Sequence, residues 1–170
     1  KKIKNMEVDN IIIPMAGQGV RFKKNNFDTI KPLIKIDHEC ILEKSIFNLP
    51  KSTNKIIILK KNIFDKYSNL RKLIKNNNFK NLSLKKNTLG QADTCYKAKN
   101  HVAQDQNLLI HSCDYILRFS KKDFKNLKKN SDVIIFTYRL RSRIVNNYSD
   151  YAYCMINNKK IVKKIFEKKI

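Results

Sequence analysis

Hydrophobic residues occur along the chain as short continuous runs, and each run is followed by a longer segment in which apolar residues recur at helical spacing. The β-branched runs at residues 10–14 and 55–60 predict buried parallel strands. Apolar positions three and four residues apart predict helices over residues 39–47 and 63–74. The sequence therefore predicts strands that alternate with helices, which is typical of α/β folds.

The second half of the chain continues this alternation. We predict strands at residues 81–85, 107–111 and 132–138, helices at 91–102 and 121–129, and a hairpin at 151–156 and 160–166. We expect an α/β, Rossmann-like three-layer sandwich with a mostly parallel mixed sheet, to which the hairpin adds antiparallel strands. Ligands bind beyond the carboxyl ends of such strands, where the loops at residues 15–31 and 112–115 fall.

The length of the chain indicates one domain. A chain of 170 residues with 42% hydrophobic residues has the size of a single domain with one core. It begins at Lys1 and ends at Ile170, directly after the predicted hairpin. We therefore expect a single domain over residues 1–170 that is truncated, above all at the carboxyl terminus.

The formal net charge is +23, which is typical of proteins that bind nucleic acid or anionic membranes. The basic residues are mostly lysines spread along the whole chain, whereas a binding surface would need them clustered. Arginines interleaved with aromatic residues, which single-strand binding proteins use to stack bases, are not clustered in this sequence. We therefore do not expect nucleic acid to be the main partner, despite the charge.

The cysteines argue against a zinc-binding or disulfide-stabilised protein, and the apolar runs argue against a membrane protein. Cys40, Cys95, Cys113 and Cys154 lie far apart, so they form neither a zinc motif nor a compact disulfide framework. No apolar run is long enough to cross a bilayer, and we expect no signal peptide. We expect a cytoplasmic protein with reduced thiols and no membrane partner.

Candidate chemistry begins directly after the first predicted strand, in the segment Pro14-Met15-Ala16-Gly17-Gln18-Gly19-Val20-Arg21, and continues at Lys31-Pro32. Small residues let the backbone approach phosphates closely, arginine offers paired donors, and lysine adds a compact charge. The alternative is a tight turn beside two incidental basic residues. Because strand, glycines, arginine and lysine occur together in this order, we favour a triphosphate site.

The sequence IIIPMAGQGVRF followed by KPLIKI resembles the signature region of sugar-1-phosphate nucleotidyltransferases, also called nucleoside-diphosphate-sugar pyrophosphorylases, and of related capsule-biosynthesis enzymes. The resemblance continues in the same order along the chain. Residues 88–92 resemble the family's second nucleotide-contacting loop, residues 108–114 its metal-binding strand, and residues 151–156 and 161–168 its later hairpin. The similarity extends over essentially the whole chain.

The resemblance implies transfer of a nucleoside monophosphate from a nucleoside triphosphate to a sugar phosphate, with release of pyrophosphate, for nucleotide-sugar and polysaccharide biosynthesis. Arg21 and Lys31 are the implied catalytic residues, which stabilise the phosphates. Asp114 is the implied ligand of an essential Mg²⁺, a hard cation suited to carboxylate and phosphate oxygens. The residues implied to bind the nucleotide are Met15, Ala16, Gly17, Gly19, Gly90 and Gln91.

Some positions depart from the family pattern. Ile30 stands where the family commonly has proline before Lys31-Pro32. Leu84, Lys85 and Lys86 occupy the region from which the family reads the base, and none is an amide. The family's second acidic metal ligand and its sugar-contacting region would lie beyond residue 170. The base, the sugar and the oligomeric state therefore stay open.

Three alternative functions remain. The chain could be a cytidylyltransferase acting on phosphocholine or another non-sugar phosphate, a catalytically inactive nucleotide-binding module, or a basic nucleic-acid-binding protein.

Two further features have competing interpretations. We favour a packed, hydrogen-bonded role for His111 over a ligand or base role, and an exposed strand face over a phosphate-binding patch for Arg139, Arg141 and Arg143.

Overall fold

The computed structural model describes residues 8–17, 29–139 and 151–167. These residues divide between two compact units, residues 1–125 and residues 126–170. The regular elements in chain order are β1 Asn10–Pro14, the 3-10 helix Lys31–Leu33, β2 Lys35–Ile36, β3 Glu39–Cys40, α1 Ile41–Ile46, β4 Asn54–Lys60, α2 Lys61–Lys66, α3 Ser68–Asn76, β5 Lys80–Leu84, α4 Gln91–Tyr96, the 3-10 helix Lys99–His101, β6 Leu108–Ile110, α5 Lys121–Asn130, β7 Ala152–Ile156 and β8 Val162–Glu167.

A four-stranded sheet forms the centre of the first unit, in the order β5-β4-β1-β6. Every pairing in it is parallel, with Ile12 opposite both Ile56 and Ile110, and Ile58 opposite Leu82. All five residues of β1 are buried, as expected for a central strand covered on both faces. The predicted α/β fold with a mostly parallel sheet is confirmed.

The two faces of the sheet carry different helices. Parallel strands are joined by right-handed crossovers, and the chain moves in one direction from β1 to β4 to β5 before it returns to β6. Helices α1, α2 and α3 therefore cover one face and α4 covers the other. Under α4, Ile12, Ile56 and Ile58 form a buried cluster with Ala98, and Cys95 packs against it.

The buried amide of Asn10 joins the amino ends of three strands of this sheet. Asn10 of β1 is 0% exposed, and its Oδ1 accepts a hydrogen bond of 2.7 Å from Asn54 Nδ2 in β4. Asn10 Nδ2 donates to Gln106 Oε1 at 3.0 Å and to the Asn107 carbonyl oxygen at 3.3 Å, just before β6. This network fixes the register of β1 relative to β4 and β6, and so it also fixes where their carboxyl ends lie relative to one another.

Several boundaries differ from those predicted. The helix expected at residues 39–47 begins at Ile41, because residues 35–40 form the small β2–β3 hairpin. The helix expected at residues 63–74 is divided at Tyr67, whose φ and ψ are −105° and 98°. Arg71 Nη1 donates to the Phe64 and Asp65 carbonyl oxygens at 2.8 and 2.5 Å. The arginine thus satisfies carbonyls that the break leaves without helical partners.

One predicted strand is wrong. Residues 132–138 form no regular element, and Val133 is 76% exposed. The hairpin of the second unit is confirmed: β7 and β8 pair antiparallel, with Tyr153 opposite Phe166. Among the residues described, the two strands form a sheet of their own and do not extend the central sheet. The expectation of a single domain stays a prediction.

None of the helices in the described part of the chain has the length and apolar character needed to span a bilayer.

Candidate functional site

The loops that follow β1 and β6 begin side by side. His111 donates its backbone N–H to the Ile12 carbonyl oxygen at 2.9 Å, and the Met15 N–H bonds to the Ile58 carbonyl oxygen of β4 at 2.7 Å. The strand order reverses between β1 and β6. Ligands of open parallel sheets bind in the crevice at such a reversal, outside the carboxyl ends of the strands. The topology therefore selects this edge as the candidate site.

The loop after β1 presents backbone to open space. Ala16 is 4% exposed, whereas Gly17 is exposed and a Cβ built there would meet no atom within 4 Å. Packing within the described residues therefore does not require glycine at position 17. Gly19 and Arg21 lie outside the described residues, so their predicted roles stay predictions.

Lys31 and Asp114 meet at this edge, although they lie 83 residues apart in the sequence. The Lys31 ammonium forms an ion pair with Asp114 Oδ2, and the side chains are 36% and 21% exposed. Lys31 opens a 3-10 helix that is anchored by the buried Pro32 and Leu33. The structure thus brings together the two charged residues of the described loops for which the resemblance implies roles at the phosphates and the metal.

Ser112 is a third member of the site, and sequence reasoning did not select it. Its hydroxyl donates to Asp114 Oδ1 at 2.5 Å. Burial acts to raise the pKa of Asp114, but the hydrogen bonds from Lys31 and Ser112 and the charge of Lys31 outweigh burial and hold the pKa below its usual range. The group is therefore a carboxylate at neutral pH. The Ser-x-Asp spacing after a strand was the available signal.

His111 and Cys113, which flank Ser112 in the sequence, are structural. His111 is 5% exposed, its Nε2 lies 3.2 Å from the Ser45 carbonyl oxygen of α1, and burial lowers its pKa. The packed role predicted for His111 is confirmed. Burial, followed by the charge of Asp114, raises the pKa of Cys113 to about 11. Cys113 is accordingly a protonated thiol and not a nucleophile at neutral pH.

Gly90 and Gln91 lie at the same edge of the sheet, beyond the carboxyl end of β5. Gly90 directly precedes α4, and its carbonyl oxygen accepts hydrogen bonds from the Thr94 N–H and hydroxyl at 3.0 and 2.9 Å. As at Gly17, a Cβ at Gly90 would meet nothing within 4 Å. Gln91 is exposed. The structure therefore shows where both residues lie. Their predicted role in nucleotide binding stays a prediction.

A basic cavity of about 480 Å³ opens at the ends of β4 and β5. Ligand cavities commonly have volumes of about 300–1,000 Å³. Asp65 in its wall is paired with Lys61 at 2.7 Å. Lys85 was recognised in the sequence only as a departure from the family pattern, and no cavity was expected there. Its lining residues are Lys60, Lys61, Asn62, Asp65, Leu84, Lys85 and Asn87.

Asp114 provides the donor chemistry for a hard cation. No group of three or more His, Cys, Asp and Glu side chains that could enclose a metal occurs among the described residues. Mg²⁺ commonly uses only one or two carboxylates and completes its coordination with substrate phosphates and water. A single partly buried carboxylate at the crevice fits a cation of that kind.

Comparison with known proteins gives a likeness at the level of the fold. No protein-family model matches the sequence. No curated protein matches it either. The nucleoside-diphosphate-sugar pyrophosphorylase from Vibrio cholerae RC9 superposes with a TM-score of 0.67 at 19% identity, over 94% of this chain and 67% of that chain. The chain has the fold of that enzyme. HddC from Yersinia pseudotuberculosis superposes with a TM-score of 0.63 at 16% identity, over 94% of this chain and 69% of that chain. The fold expected from the motif resemblance is confirmed.

Proposed function

We propose that this chain is a nucleotidyltransferase that transfers a nucleoside monophosphate from a nucleoside triphosphate to a sugar 1-phosphate and releases pyrophosphate. The observation that carries the proposal is the meeting of Lys31 and Asp114 beside the loop after β1. The pyrophosphorylase-like fold supports the reaction class. The motif resemblance at residues 11–22 and 31–36 supports the choice of a sugar phosphate.

In the proposed reaction, an oxygen of the sugar phosphate attacks the α-phosphorus. A new phosphorus–oxygen bond forms while the bond to the departing pyrophosphate breaks. Such transfers depend mainly on positioning and on neutralising charge that accumulates on the phosphoryl oxygens. Lys31 supplies a positive charge for the phosphates, and Arg21 is proposed to supply another. Backbone at Met15, Ala16, Gly17 and Gly19 is proposed to hold the nucleotide.

Glycine at positions 17 and 90 is consistent with a close ligand. Neither position is crowded by the described residues, so each leaves room for a ligand beside the backbone. A phosphate or a ribose that approaches the backbone would occupy that room. Gly90 and Gln91 are accordingly proposed to contact the nucleoside, whose base stays open.

Asp114 is proposed to hold Mg²⁺, which when bound would withdraw negative charge from the phosphates. The protein's part is to keep the carboxylate ionised and correctly oriented. Ser112 performs the second task, because its hydroxyl fixes one carboxylate oxygen. Lys31 performs the first, since its charge favours the ionised form.

Thermal unfolding in the presence of each nucleoside triphosphate, with and without Mg²⁺, tests the proposal. At a concentration of about 100 times Kd, the matching nucleotide should raise Tm by about 5–10 °C. Asp114→Ala and Arg21→Ala should lose most of this increase. Asp105→Ala, at an exposed carboxylate, is the matched control and should retain it.

The same experiment separates the alternatives. Stabilisation by one nucleotide followed by pyrophosphate release with a sugar 1-phosphate supports the proposal. Release only with phosphocholine or another non-sugar phosphate would indicate the cytidylyltransferase alternative. Stabilisation without turnover of any phosphate would indicate a binding module. If no nucleotide changes Tm, and nucleic acid is bound in a salt-dependent manner, the proposal is wrong. The net positive charge would then indicate a nucleic-acid-binding protein.

A further inference from the structure

Both oxygens of the Asp114 carboxylate are engaged by donors of this chain. Lys31 pairs with Oδ2 and Ser112 donates to Oδ1. The Asp114 side chain is only 21% exposed, so water has limited access to the carboxylate. In the nucleotide-free protein, the position beside Oδ2 is therefore held by an ammonium group.

Lys31 and a divalent cation would need the same side of this carboxylate. The proposed function assigns the cation to Asp114 and assigns Lys31 to the phosphates. An ammonium within hydrogen-bonding distance of Oδ2 and a cation bound to that oxygen would be two like charges in contact in a partly desolvated site, which is unfavourable. The two cannot occupy Oδ2 together without one being displaced.

The local structure allows the lysine to move while its backbone stays in place. Pro32 and Leu33 are buried and fix the 3-10 helix that begins at Lys31. The Lys31 side chain itself is 36% exposed, and four methylene groups let its ammonium reach more than one partner. Ser112 stays bound to the other oxygen and keeps the carboxylate oriented while the partner on Oδ2 changes.

We infer that Lys31 blocks divalent-cation binding at Asp114 until nucleotide phosphates draw its ammonium away and free Oδ2 for the cation. This inference rests on the proposed function. It makes Lys31 an internal competitor of the metal, so a divalent cation alone binds weakly. A triphosphate and a divalent cation bind with positive coupling, because the triphosphate removes the competitor.

Titration of the nucleotide-free protein with Mn²⁺, followed by the electron paramagnetic resonance signal of free Mn²⁺, tests the inference. Lys31→Met should bind Mn²⁺ about tenfold more tightly than the unmodified chain, within the range of ordinary coupling effects. Lys31→Arg retains a positive charge and should bind as weakly as the unmodified chain. Lys35→Met removes the same charge at an exposed neighbouring lysine and should change the affinity by less than about twofold, because exposed charges are screened.

Three outcomes would overturn the inference. The first is that Lys31→Met binds Mn²⁺ no more tightly than the unmodified chain. The second is that Lys31→Arg gains affinity as Lys31→Met does, which would show that charge is not the cause. The third is that Lys31→Met/Asp114→Asn keeps the gain, which would place the cation elsewhere. Circular dichroism of each variant confirms that the compared proteins are folded.

The proposed function can fail separately. Thermal shifts of the unmodified chain with each nucleoside triphosphate test it without reference to Lys31. If no nucleotide stabilises the chain but the Mn²⁺ affinities follow the expected order, the proposed function is wrong and the competition between Lys31 and a cation at Asp114 stands.

Discussion

Asn10→Ala should destabilise the protein, because this substitution removes the buried amide that joins three strands of the central sheet. Asn10 is 0% exposed. Its side chain exchanges hydrogen bonds with Asn54 at 2.7 Å, with Gln106 at 3.0 Å and with the Asn107 carbonyl oxygen at 3.3 Å. Alanine makes none of these bonds and leaves the backbone of β1 otherwise unchanged.

The size of the effect follows from what each partner loses. The two shorter bonds each contribute about 1 kcal/mol net, and the longer one contributes less. Gln106 is exposed and can bond to water instead. Asn54 Nδ2 keeps its 2.8 Å bond to the His101 carbonyl oxygen but loses a partner for its other hydrogen, which adds about 1 kcal/mol. We expect a decrease of about 3 kcal/mol in the free energy of unfolding, or about 6–12 °C in Tm.

Urea unfolding followed by circular dichroism measures this decrease. Asn76→Ala removes an exposed amide near the end of α3 and should change stability by less than about 0.5 kcal/mol. A double-mutant cycle with Asn54→Ala should give a coupling energy of about 1 kcal/mol for the shared bond. If Asn10→Ala lowers the free energy of unfolding as little as Asn76→Ala does, the reasoning is refuted. The hydrogen bonds of Asn10 would then be no more favourable than hydrogen bonds to water.

Two further predictions follow from buried titratable groups. Burial holds the pKa of His111 below its ordinary value of 6.5, so the unfolded chain takes up a proton at a higher pH than the folded protein does. The free energy of unfolding should therefore decrease as pH falls through 6.5. The variant His111→Gln should lose that dependence. Urea unfolding between pH 7.5 and 5.5 measures it, with His38→Gln as the exposed control, and equal slopes in both variants would contradict the assignment. Cys40 is 5% exposed and its pKa is raised by burial, so iodoacetamide should modify it at least about tenfold more slowly than Cys154 at pH 8. Peptide mapping by mass spectrometry gives both rates, and comparable rates in the folded protein would disprove the burial of Cys40.

The sequence was sufficient to predict that Lys31 and Asp114 lie at one edge of the sheet. Lys31 ends the loop predicted at residues 15–31 after the first strand, Asp114 lies in the loop predicted at residues 112–115 after a later strand, and parallel strands end at a common edge. The resemblance at residues 11–22, 31–36 and 108–114 pointed to the same fold. Both arguments depend on local patterns, which the sequence contains directly.

The direct ion pair between Lys31 and Asp114, and the hydroxyl of Ser112 beside it, could not be predicted. Their meeting depends on the register between β1 and β6, in which Ile12 lies opposite Ile110. That register is set by contacts between distant segments, such as the amide network of Asn10. The cavity at the ends of β4 and β5 was missed for the same reason, since its two walls come from different strands.

The errors in secondary structure also have physical causes. Residues 132–138 contain the continuous apolar run Val133-Ile134-Ile135-Phe136, which is typical of a buried strand, but a strand needs a neighbour for its backbone hydrogen bonds. Among the described residues this segment belongs to none of the sheets, so the local pattern alone did not decide its structure. Helical spacing likewise continues through Tyr67, where Arg71 compensates for the broken hydrogen bonds. Periodicity reports which side chains face the core and does not report such breaks.

The position of β1 has a consequence for how the chain folds during synthesis. β1 precedes both of its neighbouring strands in the sequence, yet it lies inside the sheet, joined through Asn10 to partners 44 and 96 residues away. Its isoleucines therefore emerge from the ribosome well before either neighbouring strand exists to cover them. Parallel pairing over such separations carries a large loop-closure cost and slows folding. The half of the site that follows β6 is assembled last, so a nascent chain acquires its aggregation-prone strand early and its charged pair late.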